Sequence, residues 1–120
     1  MKISDPKKLI LHPQKGSLFE NFVIAEFIKN NYHKNLLRDF WFWRDVQGHE
    51  VDLIWQDDFL LNLIEIKASE TIMPDMFKGL TYYDNLDAVS VQSKMLMHTG
   101  NFTQERALGK VESWINIDGI

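Results

Sequence analysis

Residues Glu50 to Lys67 read EVDLIWQDDFLLNLIEIK, two alternating segments joined by the turn residues Gln56 to Asp58. Successive side chains of a strand point to opposite faces. Glu50, Asp52 and Ile54 are therefore expected on one face, Val51, Leu53 and Trp55 on the other, and Leu61, Leu63, Glu65 and Lys67 together. Carboxylates and an ammonium thus fall on faces that otherwise carry aliphatic residues. A fold tolerates this only where such charges are paired, solvated or bound to a metal.

Working outward, FWFWR at Phe40 to Arg44 reads as a strand on aromatic content, and Asp45 to Gly48 as a turn. The three strands make a meander of Phe40 to Arg44, Glu50 to Trp55 and Leu60 to Ala68. Upstream, Ser17 to Tyr32 (SLFENFVIAEFIKNNY) carries apolar residues at helical spacings behind a Gly16-Ser17 start. Downstream, Pro74 suits the first turn of a second helix, with Met76, Phe77, Leu80, Tyr83 and Leu86 at steps of three or four despite Gly79. Val89 to Met97 and Val111 to Ile117 read as further strands. The order is α-β-β-β-α-β-(β), behind a polar N-terminal arm with two prolines and no periodicity.

The 120 residues suit one domain, which buries roughly two-thirds of its unfolded surface. An apolar fraction of 45% and a charged fraction of 25% are ordinary for a globular chain and exclude disorder as the main state. There are no cysteines, so disulfides and thiolate metal sites are excluded, in keeping with a reducing compartment. No apolar run approaches the ~18 residues of a membrane span, and no signal segment is evident. The expectation is a cytoplasmic protein with no membrane partner. A net charge of −4 opposes non-specific nucleic-acid binding by the chain as a whole, so any such contact must use a local basic patch.

The helix at Ser17 holds another misplaced charge. At 100° per residue, Val23, Ile24, Phe27 and Ile28 fall within about 80° of Glu20, so its carboxylate sits within the apolar stripe. Glu26 and Lys29 lie opposite. Ser17-x-x-Glu20 is also a capping box, which explains a glutamate at a helix start without explaining why it faces the core. On paired strands, Asp52 and Glu65 can share one divalent ion, since Mg²⁺ takes one or two carboxylates and leaves positions for water and phosphate. A neighbouring lysine can then position or help deprotonate a nucleophile. Such a set can hydrolyse a phosphodiester; equally, Glu65 and Lys67 can be solvated at the open end of a sheet.

Together, the inward Glu20, the Glu50-Val51-Asp52 strand and the Glu65-Ile66-Lys67 strand, in this element order, resemble the PD-(D/E)xK nuclease superfamily. More narrowly, GSLFENFVIAEFIKN, FWFWRDVQGHEVDLIW, LIEIKASETI and FKGLTYYDNL resemble the domain-of-unknown-function 4143 family, usually the C-terminal domain of larger proteins with an N-terminal AAA-type ATPase domain. The resemblance runs from about Gly16 to the end of the chain. It implies a restriction-endonuclease-like α/β fold with a mixed central sheet flanked by helices, residues 1–15 being an arm or remnant of a preceding domain and 16–120 the nuclease-like domain. It further implies Asp52, Glu65 and Glu20 as ligands of Mg²⁺ or Mn²⁺ and Lys67 as the catalytic lysine. Val51 stands where the superfamily name expects proline. No G-x-x-x-x-G-K-[ST] motif occurs, so an ATPase would lie upstream or in a partner.

The leading expectation is metal-dependent hydrolysis of nucleic-acid phosphodiesters, DNA first among them, beside an AAA-type ATPase domain in the same or another chain. Two alternatives stand: a catalytically silent nucleic-acid or protein-binding module, and a homodimerisation domain whose charges form a buried ion-pair cluster. His12, His33, His49 and His98 lack zinc-ligand spacing, and His49 reads as a turn residue or a support beside the acids. Ser69 and Thr71 read as turn residues or phosphate contacts. Lys29, Lys34, Arg38 and Arg44 with Trp41 and Trp43 offer a basic, stacking surface, although a strand aromatic on both faces more simply implies burial on both sides or an interface.

Overall fold

The computed structural model describes residues 2–3, 18–36, 38–86 and 90–120. Apolar spacing closes helix α1 over Leu18–His33, burying Val23, Ile24, Phe27 and Ile28, while Glu26 and Lys29 pair at 4.0 Å on its outer side. The Ser17 cap, His12 and most of the expected arm lie outside the described residues.

The chain builds a seven-stranded mixed sheet, in the order β1-β2-β3-β4-β5-β7-β6. Its members are β1 (Lys2–Ile3), β2 (Phe40–Arg44), β3 (Glu50–Asp57), β4 (Leu60–Lys67), β5 (Val91–His98), β6 (Gln104–Arg106) and β7 (Gly109–Ser113). The expected meander is present, with β2, β3 and β4 antiparallel in turn. Strand β5 runs parallel to β4, a pairing that needs a crossover, and α2 (Lys78–Asp84) supplies it after a 3₁₀ turn at Pro74–Phe77.

Two apolar layers sandwich the sheet. Val23, Ile24, Phe27 and Ile28 of α1 pack with Phe40, Leu53, Trp55, Ile64, Ile66 and Met97. On the opposite side Phe77, Leu80 and Tyr83 pack with Val51, Ile54, Leu63, Leu96 and Val111. The two faces of β2 divide accordingly, Phe40 and Phe42 against α1 and Trp41 and Trp43 against α2, so its aromatic residues are covered on both sides. Each fully buried large aliphatic or aromatic side chain stabilises by about 1.5–3 kcal/mol.

The structure departs from the sequence pattern in several places. Strand β3 runs on past Trp55 to Asp57, because Gln56 and Asp57 of the expected turn keep ladder partners in Leu61 and Leu60. Lys2–Ile3 of the arm pairs with Trp41 and Phe40 as an edge strand. Strand β6, Gln-Glu-Arg, is short and wholly polar and gives no alternation to read. The strand expected over Val111 to Ile117 stops at Ser113, whose Oγ accepts the Ile115 N–H at 3.3 Å and turns Trp114–Gly119 into a 3₁₀ turn. Finally, Val51 lies with Ile54 on the α2 side instead of with Leu53. The cause is a β-bulge: Trp41 pairs with Ile54 but Trp43 with Val51, so β3 carries one extra residue there. No helix among the described residues is long and apolar enough to cross a membrane.

Candidate functional site

The bulge in β3, the end of β4 and the first turn of α1 meet around one cavity of about 370 Å³. Glu20, Asp52, Glu65 and Lys67 all line it. Glu20 enters from α1, and Glu65 and Lys67 come from the α2-facing side of β4, as strand alternation requires. Asp52 comes from the irregular stretch of β3 and points along the sheet: its Oδ2 accepts the buried N–H of Ile66, the neighbour of Glu65, at 2.8 Å. Asp52 is only 3% exposed and Glu65 only 6%. Charges so buried are tolerated only with hydrogen bonds or counter-charges around them. Lys67 is half-buried and makes no ion pair with a described residue.

Helix α2 closes the α2-facing wall through Gly79. A Cβ there would stand 2.0 Å from the Glu50 carbonyl oxygen and 3.1 Å from Glu65 Oε2, so only glycine lets the helix come this near the strands. Asp75, Met76 and Lys78 complete that side. At the rim, Arg44 pairs with Glu50 at 3.6 Å.

The β2–β3 turn forms the third wall. Gly48, at φ +92°, makes the reversal, and the Asp45 carboxylate ties it together. Asp45 Oδ1 accepts the N–H groups of Gln47 at 3.0 Å and His49 at 2.8 Å, and Oδ2 meets His49 Nδ1 at 2.9 Å. Desolvation would raise the Asp45 carboxyl, but the hydrogen bonds and electrostatic attraction of His49, with the Gln47 N–H, hold it below its ordinary value. The His49 ring lies on Tyr82 of α2 with centroids 3.7 Å apart and planes 4° apart. The sequence reading placed His49 beside the acids but missed Asp45, Tyr82 and Gly79 as its neighbours. The Asp45-x-x-x-His49 spacing across a turn was the available signal.

Other candidates fall elsewhere. His98 is fully buried, its Nδ1 accepting the Gly100 N–H at 2.9 Å and its Nε2 donating to the Phe102 carbonyl at 2.8 Å, which makes it structural. Ser69 Oγ bonds Thr71 N and O, a turn. The basic residues do not gather into one surface: Lys34 bonds the Asp118 carbonyl, Arg38 pairs with Asp57 and covers Trp55, and Arg44 holds Glu50. Among the described residues no three His, Cys, Asp or Glu side chains are gathered into a ready-made metal cage.

Neither a characterised protein nor a solved structure gives a match to the chain. A family model, the Domain of unknown function (DUF4143), matches residues 15–118, and the chain therefore belongs to that family.

Proposed function

We propose that this domain hydrolyses nucleic-acid phosphodiesters with Mg²⁺ or Mn²⁺, as a PD-(D/E)xK nuclease of restriction-endonuclease-like fold that works beside an AAA-type ATPase domain. The observation that carries this reading is the convergence of Glu20, Asp52, Glu65 and Lys67, from three separate elements, on one polar-lined cavity. Burying two carboxylates at the end of a sheet costs stability unless hydrogen bonds, counter-charges or a metal offset it, and a bound divalent ion is one such offset.

The donor set fits the ion. Mg²⁺ binds through one or two carboxylates and keeps water and phosphate in its other positions, so a closed three-residue cage is not required. Asp52 and Glu65 would hold it, with Glu20 completing the acidic wall. When bound, the ion offsets negative charge developing on the phosphate. The chain's own residues do the rest. The Ile66 N–H fixes the Asp52 carboxylate, α2 closes one side through Gly79, and Lys67 positions the attacking water and opposes charge on the phosphate.

A calorimetric titration of Mn²⁺ into wild type and Asp52→Asn tests the site, followed by cleavage assays on wild type and Lys67→Ala. Saturable binding in the wild type, lost in Asp52→Asn, and cleavage abolished in Lys67→Ala with binding kept, is the expected pattern. Metal binding without cleavage of DNA or RNA would shift the assignment to a silent binding module. A Lys67→Ala protein destabilised by about 3–5 kcal/mol would instead mark a structural ion-pair cluster.

A further inference from the structure

The cavity contains a titratable group that neither the acidic residues nor Lys67 account for. His49 lines it together with Glu50 and the Lys78–Gly79 start of α2. Its ring is fixed on two sides, by Asp45 at Nδ1 and by Tyr82 across the ring face. An ionised carboxylate only accepts hydrogen bonds, so the Asp45 contact places a proton on Nδ1, and in the neutral ring the lone pair is then on Nε2.

We infer that the Asp45–His49 pair is a proton-accepting unit of this cavity, His49 Nε2 being the atom that takes the proton of the attacking water. The inference rests on the phosphodiesterase reading above. As the water oxygen bonds to phosphorus, its proton passes to Nε2. The bond from phosphorus to the leaving sugar oxygen breaks, that oxygen keeps the electron pair and takes a proton from solvent. Asp45 stabilises the resulting imidazolium and holds the tautomer, a positioning role. Lys67 remains the cation that positions the water. The charged and titratable groups that share these cavities with His49 are Glu20 of α1, Glu50 and Asp52 of β3, Glu65 and Lys67 of β4, Asp75 of the 3₁₀ turn, and Lys78 and Tyr82 of α2. Carboxylates and ammonium groups are thus mixed about the ring, and Asp45 is the partner in direct contact.

The test is Mn²⁺-supported cleavage of labelled DNA and RNA oligonucleotides by wild type, His49→Gln and Asp45→Asn across pH, with melting temperatures on all three and ring ¹⁵N shifts of His49 in wild type and Asp45→Asn. Wild-type kcat/KM should rise with pH through a limb that depends on His49. His49→Gln should be slower by about 100- to 10,000-fold, without that limb and with Mn²⁺ affinity unchanged. Asp45→Asn should also be slower, with the ring proton moved to Nε2. A His49→Gln protein that cleaves at the wild-type rate with the limb intact overturns this inference alone. So does a wild-type spectrum with the proton on Nε2, which needs no variant to fold. A folded wild type that binds Mn²⁺ but cleaves none of the oligonucleotides overturns the nuclease reading and this inference with it.

Discussion

Asp52 has two jobs that one substitution can separate. Its carboxylate faces the cavity, and its Oδ2 is also the acceptor for the buried Ile66 N–H. Removing an acceptor while leaving a buried donor unsatisfied costs about 1–3 kcal/mol. Asp52→Ala should therefore be destabilised by that amount in urea denaturation. Asp52→Asn keeps an oxygen acceptor and relieves like charge near Glu65, so it should stay within about 1 kcal/mol of wild type or exceed it. Equal losses in both variants would show that the charge itself, not the hydrogen bond, holds the bulge. Strand alternation correctly grouped Glu65 and Lys67 on one face, because β4 is regular. It failed for Val51 because a bulge depends on pairing with another strand, which a single strand's pattern does not contain.

Helix α2 shows how one residue sets the distance between elements. Alanine is about 1 kcal/mol better than glycine inside a helix, so propensity alone would make Gly79→Ala stabilising. The Cβ clash with the Glu50 carbonyl at 2.0 Å decides otherwise, because backbone cannot rotate away as a side chain tip can. Overpacking of this kind costs about 1–3 kcal/mol, and denaturation of Gly79→Ala should show a net loss together with weaker Mn²⁺ binding as the helix lifts off β3. A stabilised variant with intact binding would mean that α2 has slack. Elements with strong apolar spacing were legible in advance: α1, β2, β3 and β4 formed close to where their patterns placed them, β3 running two residues further, and the expected second helix divides into a 3₁₀ turn holding Phe77 and α2 holding Leu80 and Tyr83. The C-terminal region was less so. There β6 has no apolar residue, and a single Ser113 hydroxyl ends β7 four residues before the apolar run does.

At the scale of the whole molecule, the cavity lies where the α1 layer, the end of the sheet and the α2 layer meet, so an occupant would tie the two cores together. Glu20 comes from the α1 side, Glu65 and Lys67 face the α2 side, and Asp52 lies on the strand between them. Anything that binds the native state and not the unfolded chain stabilises it by RT ln(1 + [L]/Kd), about 2.7 kcal/mol at one hundred times Kd. For a domain of this length that corresponds to a rise in melting temperature of about 10 °C. Mn²⁺ should therefore raise the wild-type melting temperature in a saturable, concentration-dependent way, leave Asp52→Asn and Glu65→Gln unmoved, and still shift Lys67→Ala, whose carboxylates are intact. The structural-cluster alternative predicts the opposite order: no response to Mn²⁺ in any protein, and a lowered melting temperature for Lys67→Ala because removing one member of a buried ion pair strands the other. The two orders cannot both hold, and a thermal melt of four proteins with and without the ion distinguishes them before any substrate is known.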